Sequence, residues 1–217
     1  MNDSGFTYTH YKNTIQLALD KEYTFLRCEQ YNEIVKHDRV VMLRHDIDFS
    51  LEGALKLAEI ENQLGVTSSY FIRLHSRHYN PLEYNSYNII KKIQNLGHEI
   101  GLHQEPAFAF CMSEHPNDYV QQEINSFNSI FQTKIKGVST HEPTRTEIQI
   151  TPENITKFNI EYESYFPVFT QNMKYISDSG ARWREGDMFE WLQKNTPKLY
   201  VLTHPVWWYN KTTLENY

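Results

Sequence analysis

The sequence predicts an α/β fold in which a largely parallel sheet is closed or nearly closed into a barrel. Two observations carry this. Apolar runs of strand length alternate with amphipathic helical stretches along the chain, the order that parallel βαβ units require. Several of those runs also end abruptly in acid or imidazole, and in α/β barrels the functional groups come from the C-terminal ends of different strands. The 217 residues, 40% of them hydrophobic, suffice for one substantial core, so a single domain over 1–217 is expected.

Taken in order, Tyr11 to Lys21 reads as a helix and Tyr23 to Arg27 as a short strand. Val40 to Asp48 opens with a β-branched, apolar run that reads as a buried strand. Leu51, Ala54, Leu55, Leu57, Ala58, Ile60 and Leu64 then form an apolar stripe at helical spacing, stopped by Gly65. Thr67 to Leu74 is a strand, and Tyr84 to Leu96 a helix that turns Ile89, Ile90, Ile93 and Leu96 inward. A strand at Ile100 to Glu105 follows the helix stop at Gly97, and a helix runs from about Asn117 to Phe131. Lys136 to Thr140 is a strand, Glu147 to Phe158 helical, and Ile160 to Glu163, Lys174 to Ile176 and Leu199 to Thr203 are strands. No internal repeat or linker interrupts the pattern.

The chemistry concentrates at four strand ends. Arg44-His45-Asp46-Ile47-Asp48 places two carboxylates and an imidazole where a hydrophobic strand should stop. Side chains alternate along a strand, so Asp46 and Asp48 share a face with Cβ atoms about 7 Å apart, near enough to converge on one ion. Helix capping accounts for one Asp or Ser in Asp48-Phe49-Ser50 but not for the whole cluster. His103, His141 and His204 end three further strands. A lone strand-terminal histidine is ordinarily structural; four such endings point to a site.

The order Arg44-His45-Asp46-Ile47-Asp48, Leu96-Gly97-His98-Glu99-Ile100-Gly101-Leu102-His103, Leu202-Thr203-His204-Pro205 resembles the polysaccharide deacetylase superfamily, carbohydrate esterase family 4, from about Val40 to Trp208. It looks closest to a divergent branch of deacetylase-like proteins, some associated with bacterial surface-polysaccharide loci. The resemblance implies a distorted (β/α) barrel of about seven strands. It also implies a divalent metal, usually zinc, and removal of N- or O-acetyl groups from sugars, with Asp46 as base and Asp48 as metal ligand. Two departures stand out. The family pairs two metal-binding histidines at i and i+4; His103 fits the first, but the second position is Ala107. The family's third motif carries an Arg that orients the catalytic Asp, whereas His141-Glu142-Pro143-Thr144-Arg145 has none beside the proline. Catalytic zinc generally keeps three protein ligands, so the third is His141 or Glu105, the other of the two acting from behind the ligands.

The mechanism expected on this basis is metal-assisted hydrolysis of an acetamido group on an amino sugar or a nucleotide- or lipid-linked precursor of a surface polysaccharide. Asp46 takes the water's proton and His204 protonates the departing amine. One carboxylate with two imidazoles accepts zinc, cobalt, manganese or nickel. Another amide hydrolase, deformylase-like or cyclic-amide-cleaving, and a metal-free glycan-binding relative are the alternatives. Fifteen tyrosines and four tryptophans suit a sugar ligand; His45, Arg73, Trp183 and Trp207 are the candidates for substrate contact.

A net charge of −6 without a dense Lys/Arg cluster argues against a nucleic-acid partner. Two cysteines outside any CxxC pattern indicate neither a disulfide framework nor a structural zinc. The polar start Met1-Asn2-Asp3-Ser4-Gly5 lacks a secretory pattern, and no apolar run nears the roughly 20 residues that span a bilayer. A cytoplasmic protein acting on a small-molecule or glycan substrate is expected, with its oligomeric state open.

Overall fold

A computed structural model describes residues 5–144 and 150–216. Eight strands form one sheet in which every pairing is parallel: β1 (Thr24–Phe25), β2 (Val40–Ile47), β3 (Ser69–Ile72), β4 (Glu99–Gln104), β5 (Gly137–Thr140), β6 (Tyr162–Glu163), β7 (Lys174–Ser177) and β8 (Lys198–Thr203). Their order is β6-β5-β4-β3-β2-β8-β7, with β1 on the first residues of β2. The sheet curls into an incomplete barrel whose free edges are β6 and β7. The distorted-barrel expectation holds, with seven strands in the curl and β1 appended.

Helices α1 (Tyr8–Asp20), α2 (Leu51–Gln63), α3 (Tyr84–Asn95) and α5 (Pro116–Phe131) lie where the apolar stripes predict them. Gly65 and Gly97 follow α2 and α3 at φ +71° and +93°, a conformation that costs glycine little and lets the chain turn into the next strand. Among the described residues, three α-helices lie outside the sequence expectation: α4 (Pro106–Met112), α6 (Pro167–Thr170) and α7 (Met188–Gln193). The helix expected over Glu147–Phe158 is corrected: residues 147–149 and Arg145 lie outside the described residues, and Ile155–Phe158 is one 3-10 turn.

Alternation along the strands sorts the core. Val41, Leu43, Val201 and Tyr70, Ile72, Leu102 face the helices, whereas Met42, Phe71, Tyr162 and Tyr200 fill the barrel. Gly101 and Gly137 make room for two of these rings. A Cβ at Gly101 would lie 2.6 Å from Phe71, and one at Gly137 2.2 Å from Tyr162, so any larger residue there would displace the lumen packing. The barrel is thus plugged by aromatic rings below the residues that end its strands. Among the described residues, no helix is long and apolar enough to cross a membrane.

Candidate metal centre

Ser50, not Asp48, caps α2, its hydroxyl accepting from Gly53 N at 3.0 Å. Asp48 is thereby left to the strand end. His103, on β4, donates Nδ1–H to the Ser139 carbonyl at 2.8 Å, which turns Nε2 and its lone pair toward the aspartates. That nitrogen lies 3.4 Å from Asp48 Oδ1. His141 follows β5, tied by its backbone N–H to Gln104 O, and its Nε2 lies 3.4 Å from the same oxygen. One donor atom from each of Asp48, His103 and His141 falls within 4.8 Å of the others, spacing that suits a single ion. Asp48 Oδ1 is buried without a hydrogen-bond partner, a cost that a bound cation removes. The residues present therefore fit a divalent metal.

Of the two alternatives for the third ligand, the geometry brings in His141. Glu105 forms an ion pair with Arg73 instead, and Arg73 Nη1 stands 3.7 Å from Asp48 Oδ1. Asp46 is 2% exposed, between Arg44 and the site. Burial pushes its carboxyl up, but the Arg44 charge and then His103 outweigh this and hold it well below the usual carboxylate range. Asp48 is likewise lowered: the nearby imidazoles, His103 first and then His204 and His141, overcome its burial. His141 is shifted down by burial, with the His103 charge adding to it.

His204 leaves β8 beside Asp178, which sequence reasoning missed. Its Nδ1 donates to Asp178 Oδ1 at 2.6 Å and its backbone N–H reaches both carboxylate oxygens at 3.0 Å, while Trp208 Nε1 donates to Oδ2 at 3.1 Å. The other imidazole nitrogen, Nε2, faces Asp48 Oδ2 at 3.8 Å. Burial lowers the His204 pKa, but the Asp178 charge and hydrogen bond, helped by Asp46 and Asp48, raise it to about 9. Asp178 obeys the strand-end rule, directly following β7, whose four residues were too few to advertise it.

These groups line a cleft of about 780 Å³ whose walls include Thr140, Tyr165, Tyr175, Ser177, Leu202 and the exposed Arg184. Three residues expected at the substrate lie elsewhere. His45 is fully buried on the opposite face of β2, where Nε2 donates to Glu61 at 2.8 Å and Nδ1 lies 2.5 Å from Thr203 Oγ1. The alternation that aligns Asp46 with Asp48 turns residue 45 away. Trp183 stacks on Phe6 at 6.2 Å and packs beside Trp208. Trp207 sits half-buried 6.4 Å from Phe49. Neither tryptophan lines the cleft. Arg73 is adjacent to the ligand set but belongs to its flank.

No family model matches the sequence, and no curated protein sequence does. Solved structures do. The Bc1960 peptidoglycan N-acetylglucosamine deacetylase aligns at a TM-score of 0.51 and 18% identity over 86% of this chain and 84% of its own. A CE4 family pseudoenzyme from Bacillus anthracis aligns at 0.51 and 16% identity over 78% of this chain and 55% of its own. A mutant of that pseudoenzyme with restored enzymatic activity gives the same score and identity, and this chain covers 57% of its length. The fold is that of the carbohydrate esterase family 4 proteins. Because that fold includes a deacetylase and a pseudoenzyme, activity has to be argued from the residues at the strand ends.

Proposed function

We propose that the protein is a metal-dependent deacetylase of the carbohydrate esterase family 4 type, removing an N-acetyl or related acyl group from an amino sugar or a nucleotide- or lipid-linked sugar precursor. The convergence of Asp48, His103 and His141 around an unpartnered carboxylate oxygen carries this reading. A divalent ion there, zinc, cobalt, manganese or nickel by the donor set, would supply polarisation of the acyl carbonyl and acidification of a water.

The chain's own residues do the rest. Asp46 stays ionised beside Arg44 and takes the proton of the attacking water. His204, charged at neutral pH and oriented by Asp178, offers Nε2–H to the departing nitrogen, so the amine leaves neutral. Acetate and amine are the products. A cleft of about 780 Å³ has room for a sugar, and Arg184 on its wall suits a phosphate or carboxylate carried by the substrate.

Metal analysis of the purified protein, followed by acetate release across nucleotide-linked N-acetyl sugars and oligosaccharides, tests the proposal. One equivalent of metal and chelator-sensitive acetate release are expected. A metal-free protein that binds glycans without releasing acetate would overturn it, and release of formate or ring-opened product would point to another amide hydrolase.

A further inference from the structure

Two aspartates end β2 within reach of the same ion. Asp46 Oδ2 lies 3.5 Å from His103 Nε2 and Asp48 Oδ1 lies 3.4 Å from it. Distance does not separate their roles; hydrogen bonding does. Arg44 Nε donates to Asp46 Oδ1 at 2.9 Å and Arg44 Nη2 to Oδ2 at 2.6 Å. The Ser139 hydroxyl, 3.1 and 3.3 Å from the two oxygens, adds a further donor. Asp48 Oδ1 accepts no hydrogen bond.

From this contrast we infer that Arg44 is a positioning residue that keeps Asp46 out of the ion's coordination shell, and so divides the aspartates into base and ligand. The inference rests on the metal site proposed above. A guanidinium fork matches a carboxylate edge and fixes its plane, which a point charge does not. Arg44 is itself immobilised. It is fully buried, Nη2 also donates to Ser139 Oγ at 2.5 Å, Nη1 reaches the Tyr200 hydroxyl at 3.4 Å, and the Tyr165 ring lies 4.3 Å from its guanidinium carbon. Arg73, whose Nη1 stands 3.7 Å from Asp48 Oδ1, is engaged by Glu105. Without Arg44, a buried and unpaired Asp46 would lie beside a dication, and ligation would be the least costly way to satisfy it. Alternation then gives one strand three consecutive inward roles: clamp at 44, base at 46, ligand at 48.

The test is cobalt(II) titration of the full chain, read by visible absorption, which reports coordination geometry without turnover. Arg44→Met should bind cobalt about 10-fold more tightly or better and change the spectrum; Arg44→Met with Asp46→Asn should restore the wild-type affinity and spectrum. Arg44→Lys keeps the charge but loses the fork, and Ser139→Ala removes one donor; both should move the spectrum in the same direction by less, and they carry the test if Arg44→Met does not fold. A folded Arg44 variant with wild-type affinity and spectrum would overturn the inference, as would a double variant that keeps the affinity and spectrum of Arg44→Met, since ligation by Asp46 could not then explain the change. If wild-type protein binds no cobalt, the metal site falls and this inference with it; if it binds and the variants do not differ, only this inference falls.

Discussion

Asp178→Asn isolates what the carboxylate does for His204. The imidazole titrates at about 9 against an ordinary 6.5, so its charged form is favoured by about 3 kcal/mol at roughly 1.36 kcal/mol per unit. Burial opposes this, and Asp178 is the largest cause acting in the other direction. Asparagine keeps the shape but loses the charge, and its amide would leave either the His204 or the Trp208 N–H without an acceptor. His204 should therefore fall to 6.5 or below. Because the folded pKa is raised, its stabilising contribution is complete below about 6.5 and fades as pH climbs through about 9. The variant should lose on the order of 2–3 kcal/mol at pH 6 and much less above pH 9. Imidazole NMR of the metal-free protein reads the titration, and urea denaturation at the two pH values reads the stability. Turnover at pH 8 should drop roughly 10²- to 10⁴-fold, with the alkaline limb of the rate profile moved down. A wild-type His204 that titrates near 6.5, or a variant with an unchanged titration, would refute the reasoning.

Metal affinity should collapse in Asp48→Ala and His141→Ala, whereas Glu105→Gln should cost about 10- to 100-fold through Arg73; isothermal titration with zinc separates the three. Asp46→Asn should keep metal within a few-fold and lose turnover, and equal metal loss in Asp46→Asn and Asp48→Ala would defeat the division of labour. Glu61→Ala should cost roughly 3–5 kcal/mol in chemical denaturation, because it strips the acceptor from Tyr11, His45, Ser68 and Tyr70 in a dry interior. Burial pushes Glu61 up, but the charge and hydrogen bond of His45, then His98 and Ser68, bring it down to about 2 from 4.5. That part of the stability is present above about 4.5 and lost toward 2, so the variant's acid unfolding should be flatter than the wild type's.

Strand ends were legible in the sequence because hydrophobic runs and polar stops are local. Asp46, Asp48, His103, His141 and His204 line one cleft. What failed was direction. His45 belongs to the motif by position yet serves the Glu61 cluster between sheet and helices, and alternation alone could have assigned it there. The chemistry that suits Trp183 and Trp207 to a sugar says nothing about which way a ring points; both pack against neighbouring aromatic rings outside the cleft. The choice between His141 and Glu105 depended on Arg73 reaching across from the end of β3, a contact between strands that no local pattern records. Pro106, at the first position of α4, could have announced that helix.

The open edge of the sheet bears on what the protein can accept. Among the described residues, β6 and β7 exchange no ladder hydrogen bonds, and the wall between them consists of side chains, with the Tyr165 and Tyr175 rings 6.3 Å apart. Both tyrosines line the cleft. In a closed barrel, enlarging the bore means changing strand number or shear. Here the seam can widen through side chains alone while every strand pairing stays intact, but Tyr165 also packs 4.3 Å from the Arg44 guanidinium carbon, so a change there reaches the clamp on Asp46 as well. Side chains along this seam can thus change without altering the strand pairings that hold Asp46, Asp48 and His103.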